Sequence, residues 1–298
     1  MMKTSVVTGA NSGMGIVTVQ KLLERGDRVI ATVRSEKKAN LLVQLMREHA
    51  VSDARLEVEV VELNQLSSVR RLAKRLTGRL DRIDCLILNA GIMVPPYHLT
   101  QDGFESQFQV NYLSHFLIVE SLLPLLEKGD DPRVISISSL AGERGTVRTD
   151  IELQAVATVQ KEHYSPMRSY RESKLLQSVH MRELAAVYGE KITFTSVHPG
   201  IVNTDLFYRG KGKVLKPLLK PVAKLGYWSK KLSTPEEGAR TALYLATTSD
   251  PIQNGGYYAD EALRTPNPIV EDAAFRKRAR ELSLMWCGLH RIEREPSL

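Results

Sequence analysis

Ser5-Val6-Val7-Thr8-Gly9-Ala10-Asn11-Ser12-Gly13-Met14-Gly15 stands near the start of this 298-residue chain. A β-branched apolar run leads into the glycines, and helical spacing over Ile16 to Glu24 leads out of them. Glycine permits a tight turn and close backbone approach, and a helix N-terminus presents unpaired N–H groups and the positive end of its dipole. Strand, turn and helix together predict a cradle for the pyrophosphate of a dinucleotide. The spacing is G-x-x-x-G-x-G rather than G-x-G-x-x-G, so without its flanks the stretch would read only as a glycine-rich turn.

Outward from this unit the alternation repeats. Buried strands are expected at Ser5 to Val7, Arg28 to Val33, Leu56 to Leu63, Asp84 to Leu88, Arg133 to Ser138 and Ile192 to Val197, with a seventh at Gly255 to Ala259. Helical spacing falls between them, at Ile16 to Glu24, Glu36 to Glu48, Val69 to Leu76, Phe104 to Leu126 and Tyr170 to Val187. Thr234, Pro235 and Glu236 signal the start of a further helix over Ala239 to Ala246. This alternation predicts an α/β fold: one doubly wound, mostly parallel sheet of about seven strands with helices on both faces. A single domain over residues 1–298 is expected, with a basic insertion at 205–233 and a helical extension at 269–298 that includes Ala273 to Leu284. Glu143 to Arg168 and Asp205 to Ser233 are long for connections in such a fold, and long connections are usually functional.

Apolar residues at 43% and charged residues at 25% fit a globular chain with a sizeable core. Cys85 and Cys287 are too few for a disulfide framework and lack metal-site spacing. No metal is expected, and a reducing, cytoplasmic location is. The early start of the first strand leaves no room for a leader, and no apolar run has the length of a membrane span. The formal charge of +7 is local: residues 206–232 carry Arg209, Lys211, Lys213, Lys216, Lys220, Lys224, Lys230 and Lys231 and no acidic residue. Interleaved with Leu215, Leu218, Leu219, Val222, Leu225, Tyr227 and Trp228, they fit an amphipathic cover over a lipophilic substrate or a solvated flap. Attachment to an anionic membrane is a lesser reading. Nucleic acid is not expected, because no binding motif accompanies the charge.

Cofactor choice is set at the end of the second strand. Ala31-Thr32-Val33-Arg34-Ser35 has no carboxylate to hold a ribose 2′-OH and has an arginine able to pair with a 2′-phosphate, which favours NADP(H) over NAD(H). Asn89-Ala90-Gly91 ends the fourth strand at the sheet edge where ligands bind, and Ser138-Ser139 ends the fifth. Tyr170 and Lys174 lie four apart on a helix and so share a face. A free phenol titrates near ~10, and a nearby ammonium lowers that value toward usefulness in proton transfer. Alone, such a pair is common on solvated helices.

Taken in order, the Thr8 to Gly15 turn, Asn89-Ala90-Gly91, Asn111, Ser139, Tyr170 with Lys174, and Pro199-Gly200-Ile201-Val202-Asn203-Thr204 resemble the classical short-chain dehydrogenase/reductase family, with its Rossmann fold. The likeness spans Lys3 to Leu289 and is narrower still to the retinol-dehydrogenase-like branch. It implies carbonyl–alcohol interconversion on a lipophilic small molecule, by a monomer or homodimer. The resemblance makes Tyr170 the proton-transferring residue, Ser139 the hydrogen-bond partner of the substrate oxygen, and Lys174 the holder of the nicotinamide ribose. Asn111 would position a water. Gly9, Asn11, Ser12, Gly13, Met14, Gly15, Arg34, Glu62, Leu63, Asn89, Ala90 and Gly91 would contact the cofactor, with Pro199, Gly200, Ile201 and Thr204 at its carboxamide. Two departures stand out. Glu62 replaces the usual aspartate, and Ser12 stands where many NADP-dependent relatives carry a basic residue. Tyr164 and Met167 are candidates either for lining the substrate crevice or for packing the loop. Two other functions remain compatible with these residues: reduction of a conjugated C=C bond, and a non-catalytic nucleotide-binding scaffold.

Overall fold

The computed structural model describes residues 2–11, 13–49, 54–202 and 233–289. Six β-branched runs form strands where the sequence places them: β1 (Thr4–Val7), β2 (Arg28–Val33), β3 (Leu56–Val60), β4 (Cys85–Leu88), β5 (Arg133–Ile137) and β6 (Thr193–His198). With β7 (Tyr257–Ala259) and β8 (Ala262–Arg264) they make one sheet in the order β3-β2-β1-β4-β5-β6-β7-β8. Every pairing is parallel except β7 with β8. The expectation of about seven strands misses β8. Its hairpin turns on Asp260 and Glu261, both at positive φ (51° and 60°), without the Asn-Gly signal that such turns usually carry.

Successive side chains of a strand face opposite sides, so the sheet has two cores. Val6 belongs to one and Val7 to the other. Helices α1 (Met14–Arg25), α2 (Glu36–Glu48) and α7 (Pro235–Thr247) cover one face through Leu22, Leu42 and Leu245. On the other face lie α3 (Leu66–Thr77), α4 (Ser114–Leu126), α6 (Pro166–Tyr188) and α8 (Ala273–Trp286), through Leu72, Phe116, Leu176 and Phe275. The doubly wound architecture follows.

β3 is only half-buried, not enclosed as its apolar run suggests, because it is an edge strand. Its Glu57 and Glu59 pair with Arg28, Arg75 and Arg79. The opposite edge is β8, three residues long and exposed. The connection 143–168 is not structureless: it holds α5 (Asp150–Ala157), started by a capping box in which Glu152 N–H donates to Thr149 Oγ1 and the Glu152 carboxylate accepts from Thr149 N–H. α8 docks on α4 and α6, where Arg280 Nε donates to Glu120 Oε1 (2.9 Å) and Trp286 meets Phe104 and Phe108 edge-on. Residues 290–298 of the expected extension and 205–232 of the basic insertion lie outside the described residues. No helix among the described residues is long and apolar enough to cross a membrane.

Candidate active site

β1 and β4 are neighbours whose onward connections run to opposite sides of the sheet, which opens a crevice at their carboxyl ends. The glycine turn fills the β1 side. Gly9 has φ +64°, and a Cβ there would lie 2.7 Å from Ala90 Cα. A Cβ on Gly15 would run into the Gly9 carbonyl and Asn89 Nδ2. Asn89 Nδ2 donates to the carbonyls of Thr8 (2.9 Å) and Gly9 (3.0 Å), and Ala90 N–H donates to Thr8 Oγ1 (3.0 Å). The Asn89 side chain and the Ala90 N–H thus hold the turn.

Above the turn runs a groove of about 590 Å³. Gly9, Asn11 and Met14 line it with Arg34 from the end of β2, Glu62 and Leu63 from the end of β3, and Asn89, Ala90 and Gly91. Arg34 is exposed and has no side-chain acceptor among the described residues. Gly13 caps α1 at φ +49°. Ser12 and Thr204 lie outside the described residues.

Beyond Met14, Asn89 and Gly91, which line both spaces, a second cavity of about 440 Å³ continues the crevice. Ser139, Tyr170 and Lys174 line it, with Pro199, Gly200 and Ile201. Tyr170 and Lys174 are one helical turn apart on α6, and Ser139 sits just past β5. Lys174 is 4% exposed; its Nζ donates to the Ile137 carbonyl (2.7 Å) and Gln177 Oε1 (2.9 Å) and lies 5.9 Å from the centre of the Tyr170 ring. Burial pulls the ammonium down to about 7. It also pushes the Tyr170 phenol up, and the Ser139 hydroxyl beside it eases it back. The sequence reading had Lys174 lowering the phenol, but here burial outweighs any such effect and acts on the lysine as well.

Asn111 lies in a π-helical turn, Phe108–Leu113, ahead of α4. Such turns recur at functional sites. Its side chain is fully engaged: Oδ1 accepts from Ile92 N–H (2.8 Å), and Nδ2 donates to the Ile92 carbonyl (3.0 Å) and Ser173 Oγ (2.9 Å). Asn111 therefore ties the segment after β4 to α6.

The family model for short chain dehydrogenase matches residues 3–150. Retinol dehydrogenase 14 from Homo sapiens is 35% identical over 301 residues, covering 96% of this chain and 87% of the relative. The chain is a short-chain dehydrogenase/reductase of the retinol-dehydrogenase-like branch. Among solved structures, an uncharacterised protein from Mycobacterium paratuberculosis superposes with a TM-score of 0.73 at 29% identity, covering 96% of this chain and 93% of that one. The NADP complex of RhlG from Pseudomonas aeruginosa gives a TM-score of 0.64 at 25% identity, with 87% and 94% covered.

In this dehydrogenase/reductase several site residues escaped the sequence reading. His115 joins the turn to α6: its Nε2 is 3.1 Å from Thr8 Oγ1, and its Nδ1 is 3.0 Å from the Asn111 carbonyl and 3.4 Å from Gln177 Nε2, whose Oε1 holds Lys174. Burial pulls this imidazole down to about 3, so it is neutral. Asn64 Oδ1 is buried on the groove without a partner. Glu172, 1% exposed, accepts from Thr146 N–H, the Thr146 hydroxyl and Val147 N–H, which fixes the chain just beyond Ser139 against α6. Met167 lines the second cavity as anticipated, but Tyr164 does not. Tyr164 donates to the Pro95 carbonyl (2.9 Å) and pins the segment after β4 instead. Ser233 N–H donates (2.8 Å) to the carbonyl of Ile201, which lines this cavity.

Proposed function

We propose that this chain is an NADP(H)-dependent oxidoreductase that interconverts a ketone or aldehyde and an alcohol on a lipophilic small molecule, with Tyr170 as proton donor and acceptor. One observation carries the reading: Tyr170, Ser139 and Lys174 line a cavity that shares Met14, Asn89 and Gly91 with the groove over the glycine turn. The groove fits a dinucleotide. Glycine at 9 and 15 lets the turn close against Ala90 and Asn89 beneath the groove, Asn64 Oδ1 is an unused acceptor, and Arg34, without a side-chain acceptor among the described residues, stands at the position that reads the ribose 2′ substituent. RhlG, at 25% identity, was solved with NADP.

Bound there, the nicotinamide supplies or accepts the hydride at the carbonyl carbon. In reduction the Tyr170 phenol donates its proton to the carbonyl oxygen, and Ser139 Oγ donates a hydrogen bond to the same oxygen where charge develops. Lys174 holds the ribose and, when charged, stabilises the phenolate that Tyr170 becomes. Asn111 ties Ile92, next to Gly91, to Ser173 on the helix that carries Tyr170. Ile201 and Thr204 are assigned to the carboxamide. Met93, Leu140, Met167, Ile201 and Val202 give the cavity its apolar lining, and retinol dehydrogenase 14 is named for a lipophilic alcohol.

The test is reduction of all-trans-retinaldehyde and of a single enone by the purified chain, followed by product analysis. The expected product is the allylic alcohol, with NADPH preferred over NADH, the preference lost in Arg34→Ala, and turnover lost about 10²-fold or more in Tyr170→Phe. Full activity in Tyr170→Phe would overturn the mechanism, and a saturated ketone from the enone would overturn the reaction type.

A further inference from the structure

The second cavity is not uniformly apolar. Arg144 and Arg171 both line it, alongside Met93, Leu140, Met167 and Ile201. Arg144 ends the short 3-10 turn Gly142–Arg144 that follows Ser139, and Arg171 directly follows Tyr170 on α6. The two cations are therefore borne by the same segments that carry the proposed proton donor and its hydroxyl partner.

Neither has a side-chain acceptor among the described residues. Several other arginines are engaged: Arg28, Arg75 and Arg79 with Glu57 and Glu59, Arg276 with Glu183, and Arg280 with Glu120. Arg171 is half-buried and Arg144 is exposed, and neither is paired with a carboxylate among the described residues. The carboxylate nearest in sequence, Glu172, is already committed to Thr146 and Val147. Neither arginine lines the groove over the glycine turn, where the adenine half and pyrophosphate of the dinucleotide are assigned. Guanidinium groups bind carboxylates through paired N–H donors.

We infer that the substrate of this site is amphiphilic: an apolar body bearing the reacting carbonyl or alcohol and, away from it, a carboxylate held by Arg144 and Arg171. The inference rests on the oxidoreductase reading above and refines it. The cavity of about 440 Å³ is shared with the assigned nicotinamide end, and the remainder suits a chain with its reacting end at Tyr170 and Ser139 and its acid end at the arginine pair. The rest of the lining, methionine and aliphatic, makes no polar demand along the body.

The experiment compares medium-chain ω-oxo carboxylates with their methyl esters, which keep the aldehyde and remove only the charge, in assays with NADPH. At the best chain length the acid should exceed the ester in kcat/KM by about tenfold or more, as expected for hydrogen bonds to a charged group. Arg144→Gln/Arg171→Gln should abolish that preference, bringing the acid's kcat/KM level with the ester's in the same variant. Arg144→Lys/Arg171→Lys should retain part of it. Arg71→Gln/Lys74→Gln, on the exposed outer face of α3, removes the same charge and should keep the preference whole. A saturated fatty acid should compete with the aldehyde in the wild type and not in the glutamine variant. Equal rates for acid and ester at every length, or an undiminished preference in the glutamine variant, overturns the inference. If no ω-oxo compound turns over, the inference also falls; Tyr170-dependent reduction of retinaldehyde would then show the oxidoreductase reading standing without it.

Discussion

In the proposed mechanism Lys174 has two roles, and its position sets their demands against its burial. Holding a nucleotide ribose and steadying a phenolate call for a charged ammonium, while burial at 4% exposure pulls that group down to about 7 from an ordinary 10.5. Between those values the unfolded chain binds a proton that the folded chain lacks. Stability therefore rises with pH across that window and is lost as pH falls toward 7. Lys174→Met removes the dependence. Urea unfolding at pH 7 and pH 9 should show the stability difference between the two proteins moving in favour of the wild type by at most about 1.4 kcal/mol per pH unit. A difference that does not change with pH would mean that the lysine is charged throughout. Gln177 and the Ile137 carbonyl make the buried position tolerable, since they accept two of its three N–H donors.

At the scale of elements, α6 organises the crevice. Proline at its first position starts it, Tyr170 and Lys174 point from one turn toward the cavity, and Glu172 turns to the segment that follows Ser139. Glu172→Gln replaces an all-acceptor carboxylate with an amide whose NH2 group faces an N–H. The variant should lose about 1–3 kcal/mol, read as a lower urea midpoint at unchanged m-value. An unchanged midpoint would show that residues 146 and 147 are held by other contacts. Much of this element layer was legible in the sequence, because long β-branched runs and 3.6-residue spacing persist whatever the partners are. α2 was read at its observed limits, Glu36–Glu48. β8 was not legible, since Asp260 and Glu261 adopt positive φ with Glu261 N–H held by Thr241 Oγ1, a tertiary contact. α5 was missed although Thr149 and Glu152 spell a capping box, because only Leu153, Val156 and Ala157 mark its apolar side. Tyr170, Lys174, Ser139 and Asn111 stood out by type and order. His115, Gln177 and Asn64 did not, because a polar residue next to an apolar run gains meaning only when its partner, such as Thr8 for His115, is known.

For the whole molecule, the C-terminal helix is part of the frame that holds the site. α8 reaches back to α4 and α6 through Arg280 on Glu120, Arg276 on Glu183 and the Tyr112 hydroxyl with Ser283 Oγ at 2.7 Å. Burial alone would raise the Glu120 carboxyl, but Arg280 and His180 outweigh it and hold it below the usual range. Arg280→Ala leaves that carboxylate buried without its main partner and should cost about 3–5 kcal/mol, whereas Arg280→Met/Glu120→Leu should recover most of the loss. Thermal unfolding of the two variants checks this, and equal losses would mean that packing rather than charge is at stake. The two borders of the sheet bear on how copies of the chain meet. At β3 the glutamates are already locked to arginines of β2 and α3, and at β8 a three-residue strand offers too little backbone to template a neighbour. Strand-to-strand growth from one molecule to the next is thereby disfavoured at both ends, which guards a largely parallel, slow-forming sheet against fibrous aggregation and leaves helix surfaces as the ground on which self-association can occur.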